Sequence, residues 1–84
     1  MRALIIDIAR ALVDIPDEVQ VEEDDRGEAS SLRLRVAASD VGKVIGKEGR
    51  TARAMRTILG AVSVKHHHRY TLDILEEERN QPTV

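Results

Sequence analysis

An α+β domain is what this sequence predicts, with element order α-β-β-α-α-β, a three-stranded mixed sheet and helices packed on one face. Three observations carry that prediction. Apolar residues recur at three- and four-residue intervals over residues 4–15 and again over 55–62, which is the spacing of amphipathic helices. Leu32, Leu34 and Val36 alternate with Arg33 and Arg35, the period-two mark of a half-buried strand. Gly46-Lys47-Glu48-Gly49 falls between two helical stretches, where paired glycines permit a tight corner.

The elements follow in order. Leu4, Ile5, Ile8, Leu12 and Ile15 give the first helix, and Pro16 should stop it at Ile15 or just before. Val19 and Val21 alternate with polar neighbours in a short strand. Asp24-Asp25-Arg26-Gly27 is turn chemistry for a hairpin whose loop has two residues or more. Leu32 to Val36 supplies its second strand. Ser39 or Asp40 offers an N-cap to a short helix through Val41, Val44 and Ile45, closed by Gly46. Beyond Gly49, the positions Met55, Ile58, Leu59 and Val62 mark a third helix. Gly60 inside it costs about 1 kcal/mol relative to alanine and marks either close packing or an early end. Tyr70, Leu72 and Ile74 alternate with Thr71 and Asp73 in the last strand. A helical crossover favours a parallel, right-handed return of that strand. Residues 1–75 thus form one domain, and residues 76–84 an acidic and polar tail expected to be disordered.

Composition narrows the function. A chain of 84 residues without cysteine has a thin core, no disulfide frame and no thiolate zinc site. Leu4-Ile5-Ile6 is cut by Asp7, with Arg10 and Asp14 close behind, so neither a signal peptide nor a membrane span is expected and the location expected is the cytoplasm. Tyr70 is the only aromatic residue, which excludes the folds that grip single strands by stacking bases on two or three rings.

The net charge of −2 hides an uneven distribution. Between Val41 and Arg69 lie Lys43, Lys47, Arg50, Arg53, Arg56, Lys65 and Arg69 against the single acid Glu48, a net of +6. The remainder carries six basic and fourteen acidic residues, a net of −8. Such a block is most often a solvated helix face, but centred on a glycine corner it reads as a directed basic patch.

An enzyme is disfavoured. The four serines lack a nucleophile signature, and a P-loop fails because Val41 stands where its first glycine belongs and Glu48 where a hydroxyl should bind magnesium. Neither a metal nor a cofactor is expected. Consecutive His66-His67-His68 do not converge on one ion, so they read as a polar loop, or as added positive charge below about pH 6.5.

The glycine corner is the chemical centre. A helix beginning at Gly49 presents free N–H groups and its positive dipole end, a natural seat for a phosphodiester. Element order and corner together resemble a type II KH domain, whose Gly-x-x-Gly loop clamps about four nucleotides. The resemblance is closest to the small stand-alone bacterial proteins of the KhpA (YlqC) family. It is carried by Ala11-Leu12-Val13-Asp14, Pro16-Asp17-Glu18-Val19, Leu34-Arg35-Val36-Ala37, the run Gly42 through Arg50, and Arg53-Ala54-Met55-Arg56-Thr57.

That resemblance implies a single-stranded RNA-binding protein, an RNA chaperone or post-transcriptional regulator. Its implied contacts are Lys43, Ile45, Gly46, Lys47, Glu48, Gly49, Arg50 and Arg53. It also implies a homodimer, pairing with the larger KH-domain protein KhpB, and a part in cell elongation and division. Two departures from the family are Thr51, where relatives often have isoleucine, and Ala52, where the wider KH pattern has a large aliphatic residue. Both shrink the hydrophobic platform, and Glu48 puts an acid in the loop. The alternative reading is therefore a KH-fold protein–protein module with reduced RNA affinity, acting through the larger partner.

Overall fold

In the computed structural model, residues 1–76 are described. The order is α1 (Arg2–Leu12), β1 (Gln20–Asp25), β2 (Ala29–Val36), α2 (Val41–Ile45), α3 (Arg50–His66) and β3 (Arg69–Glu76). Short 3-10 turns at Pro16–Glu18, Ala38–Asp40 and Lys47–Gly49 join them. This is the α-β-β-α-α-β order expected from the sequence. Glu76, placed in the tail by sequence, is the last residue of β3. The expected disorder of the rest of the tail falls on residues 77–84, outside the described residues.

The sheet has the order β1-β2-β3. β1 and β2 pair antiparallel from Gln20 opposite Arg35 to Asp25 opposite Ser30. β2 and β3 run parallel, from Ala29 beside Arg69 to Val36 beside Glu76. The hairpin loop is Arg26-Gly27-Glu28, and Gly27 takes a φ of 87° there. Arg26 donates to Asp24 in this turn, and that hydrogen bond holds the Asp24 carboxyl below its usual pKa.

One face of the sheet is dry. Leu32, Leu34 and Val36 are fully buried and meet Ile5 and Ala9 of α1, Val44 of α2, and Met55 and Leu59 of α3. Burying side chains of this size stabilises by roughly 1.5–3 kcal/mol each. The other face stays polar: Arg33 and Arg35 each lie 3.7 Å from Glu22, and Thr71 donates to Ser31.

The end of α1 and the capping of α2 differ from the sequence reading, for one shared reason, although α2 keeps its expected bounds with Asp40 at the N-cap position. α1 ends at Leu12 because Val13 is extended, with φ −94° and ψ 164°. The next two amides, of Asp14 and Ile15, donate to the carboxylate oxygens of Asp40 at 3.2 and 3.0 Å. Asp40 is only 1% exposed. Its carboxylate is spent on that corner, so it gives α2 no side-chain cap, and neither does Ser39. A buried carboxylate without partners is costly, and two backbone donors satisfy this one.

α3 is unbroken from Arg50 to His66. Its buried face is Ala52, Met55 and Leu59, while Ile58 lies a quarter turn away and is 43% exposed. Gly60 neither ends the helix nor packs closely, since a Cβ there would meet nothing within 4 Å.

Candidate nucleic-acid interface

α2 is five residues long and stops because Gly46 takes φ 81° and ψ 171°, a conformation suited only to glycine. A Cβ on Gly46 would fall within 2.8 Å of the Thr51 Cβ and amide nitrogen. Thr51 therefore braces the underside of the loop. The corner is closed by the Gly49 amide, which donates to the Gly46 carbonyl at 3.0 Å. Glu48 and Gly49 follow in left-handed conformation, with φ of 58° and 75°. Arg50 then opens α3, whose first-turn amides point back over the corner.

The charges around the loop are arranged unequally. Lys47 is exposed. Glu48 lies 3.4 Å from the Arg50 guanidinium, both side chains well exposed, so the acid of the loop is paired. Lys43 lies 3.4 Å from Asp14 on the α1 side.

Beside the loop, between α2, α3 and β3, opens a groove of about 380 Å³ lined by Ile45, Gly49, Ala52, Arg53, Arg56 and Ile74. Ala52, 4% exposed, contributes a short apolar side chain to this lining. Of the residues proposed from sequence, Ile45, Gly49 and Arg53 line this groove. Gly46, Lys47 and Glu48 form the adjoining corner, Arg50 is tied to Glu48, and Lys43 is turned toward Asp14.

Sequence reasoning placed Ala52 in the hydrophobic platform but left out Arg56 and Ile74 as lining residues. Arg56 donates through Nε and Nη2 to the Leu72 carbonyl, at 3.2 and 3.0 Å, bridging α3 to β3. Its position one helical turn beyond Arg53 and Ala52 was the available signal. The N–H and C=O of one strand residue point to the same side, and alternate residues repeat it. The Leu72 carbonyl bound by Arg56 faces the open edge of β3, so the peptide groups of Ile74 face the groove.

The basic block splits in two. α3 is 17 residues long, about 25 Å at 1.5 Å per residue. Lys65, the histidines and Arg69 therefore lie at the end remote from the loop. A larger concavity, about 570 Å³, is there too, lined by Glu28, Ala29, Ser63, Val64, His67, His68 and Arg69. Its walls carry a glutamate and lack a glycine corner, so the smaller groove is the better candidate. The three histidines diverge: His66 ends α3, His67 is left-handed, and His68 reaches the buried Ser30 hydroxyl at 2.8 Å. Among the described residues, no group of three or more His, Cys, Asp or Glu could hold a metal ion, and no helix is long and apolar enough to cross a membrane.

Comparison with known proteins gives a consistent picture. The family model described as KhpA/KhpB, KH domain, matches residues 2–74. The RNA-binding protein KhpA of Treponema pallidum is 53% identical over 73 residues, covering 87% of this chain and 91% of that protein. Those of Clostridium acetobutylicum and Halalkalibacterium halodurans are 48% and 47% identical, over 89% and 90% of this chain and the whole of each relative. No solved structure matches. With its element order, glycine corner and near full-length similarity, the chain belongs to the KhpA/KhpB KH-domain family.

Proposed function

We propose that this protein binds single-stranded RNA, with the sugar–phosphate backbone held over Gly46-Lys47-Glu48-Gly49 and two or three bases in the adjoining groove. The observation that carries this reading is the corner itself: two glycines at positive φ set the free amides of a 17-residue helix beside a groove with an apolar floor and an arginine wall. Helix-end amides favour phosphate, Ile45, Ala52 and Ile74 offer bases an apolar bed, and Arg53 and Lys47 supply charge. The names of the relatives support the same reading. Lys43 and Arg50 belong to the outer part of the site, each partly neutralised by a carboxylate. The biological role that fits is that of a cytoplasmic RNA chaperone or post-transcriptional regulator, without enzymatic activity.

Titration with an unstructured RNA and with a duplex of equal length tests this. The single strand should bind more tightly, and its log affinity should fall with log salt at a slope near −0.7 per phosphate contact. A flat salt response would remove the RNA reading.

A second reading concerns association. On the flank of α3 away from β3, Ala54, Ile58 and Ala61 are exposed, Ile58 by 43%. A second copy of the chain, or the larger KH-domain protein KhpB, is the proposed cover for this flank, in line with the thin core of so small a domain. Sedimentation at micromolar concentration giving only a 9.4 kDa species would count against the homodimer.

A further inference from the structure

Four cations stand around the glycine corner, and they are unequally engaged. Lys47 and Arg53 are exposed and make no ion pair among the described residues. Arg50 is held by Glu48, and Lys43 by Asp14, each at 3.4 Å. Glu48 belongs to the corner itself. Asp14 comes from the end of α1, and the fold is built to bring it there. The amides of Asp14 and Ile15 both donate to the carboxylate of Asp40, which is buried at the N-cap position of α2. The start of α2 thus grips the backbone that carries Asp14, so this acid is stationed beside α2.

Lys43 lies on the side of α2 away from the groove. Ile45 lines the groove, and two residues along a helix are turned by about 200° from each other. A strand within the groove therefore does not meet Lys43. A strand that crosses the corner does, because Lys43 precedes Gly46 by three residues, about 4.5 Å along the helix axis, and its four-carbon stem is flexible. The ammonium then has two anionic suitors, the Asp14 carboxylate and a phosphate. Sharing it would set two like charges side by side, so the two compete.

We propose that Asp14 is an internal competitor of the RNA backbone: it holds Lys43 until a strand arrives, then yields it to a phosphate leaving the corner on the α1 side. Both side chains are exposed, Lys43 by 44% and Asp14 by 75%, and an ion pair so exposed is weak enough to exchange. The pair acts as a brake on the corner, and the fold does not depend on it, since the buried Asp40 holds the chain there. This rests on the RNA reading of the corner, and the test separates the two. A uridine octamer is titrated into the full-length protein and followed by NMR, which reports weak complexes. The variants are Asp14→Asn, Lys43→Gln, the two combined, and Asp17→Asn, all at exposed positions. Asp17 makes no ion pair among the described residues, so its variant controls for the change in charge. Circular-dichroism melting checks that each variant is folded.

Asp14→Asn should bind the octamer about two- to fivefold more tightly than the parent, the range that an exposed ion pair spans. Beside Asp14→Asn, Lys43→Gln should cancel that gain and lower the salt slope by about 0.7, one phosphate contact. The same Lys43→Gln change should cost less affinity in the parent, where the lysine must first leave Asp14. Asp17→Asn should stay close to the parent. Parent-like affinity in Asp14→Asn overturns the exchange and leaves the corner standing. So does a gain that survives in the combined variant, or one that Asp17→Asn matches, because either marks general repulsion rather than competition for Lys43. Absence of binding by the parent and by Asp14→Asn alike overturns the corner and the exchange together.

Discussion

Replacing Lys47 and Glu48 together with aspartate tests the glycine corner without removing it. Gly46 and Gly49 keep their positive φ, and aspartate is among the residues that tolerate the left-handed conformation at position 48. The charge of the two positions falls from zero to −2. In the parent, the Glu48 carboxylate lies 3.4 Å from the Arg50 guanidinium. The shorter aspartate loosens that pair and leaves a carboxylate facing the strand. Two like charges roughly 5 Å apart near a protein surface repel by about 3 kcal/mol at an effective dielectric of 20. Screening, with a Debye length of about 8 Å in physiological salt, lowers the effect to about 2 kcal/mol. That is roughly a thirtyfold loss of RNA affinity. Both positions are exposed, so stability should move by only about 0.5 kcal/mol. Circular-dichroism melting reads the fold and RNA titration reads the binding. A folded double variant that binds RNA like the parent would mean that the strand lies elsewhere.

Other outcomes follow from single residues. Asp40→Ala strips two backbone amides of their acceptor at the α1 corner. It should cost about 2–4 kcal/mol in urea denaturation, with a lower midpoint and an unchanged slope. Gly46→Ala should cost about 1–3 kcal/mol from backbone strain alone, and more from the clash with Thr51, read in the same assay. Gly60→Ala has the opposite sign: its Cβ meets open space in a helix interior, so the domain should gain about 1 kcal/mol. Ile58→Asp should leave the fold intact and shift any dimer seen by sedimentation toward monomer, since Ile58 lies on the exposed flank of α3.

How far the sequence reached depended on whether a residue's role is decided locally. β2 was plain because one dry face imposes alternation on Ser30, Leu32, Leu34 and Val36. The glycine corner was plain because positive φ is a property of the residue itself. The end of α1 was hidden, since its amides are satisfied by Asp40, 25 residues away in the chain. The same long-range bond takes from α2 the side-chain cap that Asp40, at its N-cap position, would otherwise supply. The basic block read as one patch because proximity in sequence was taken for proximity in space, whereas an unbroken α3 carries Arg69 far from Lys47. Arg56 counted only as a charge until the edge of β3 supplied the carbonyl it bridges. Ile58 fits the helical spacing, yet Met55 and Leu59 already fill what the sheet offers to α3.

The Arg56 bridge has a consequence beyond the groove. The outer strands of a small sheet carry rows of open peptide groups, templates on which another chain can add a strand. Here the Leu72 carbonyl on β3 is occupied by Arg56, and the Val21 carbonyl on β1 by Arg2 at 3.3 Å. Each guard comes from a helix, so it holds as long as the helix is docked. β1 also presents Glu22, Glu23, Asp24 and Asp25 in succession, which would repel an identical strand laid alongside. A fourth strand would have to evict a guanidinium at either margin. Growth by fibril-like stacking is thereby discouraged in both directions, and the helical flank remains the side on which another chain can settle.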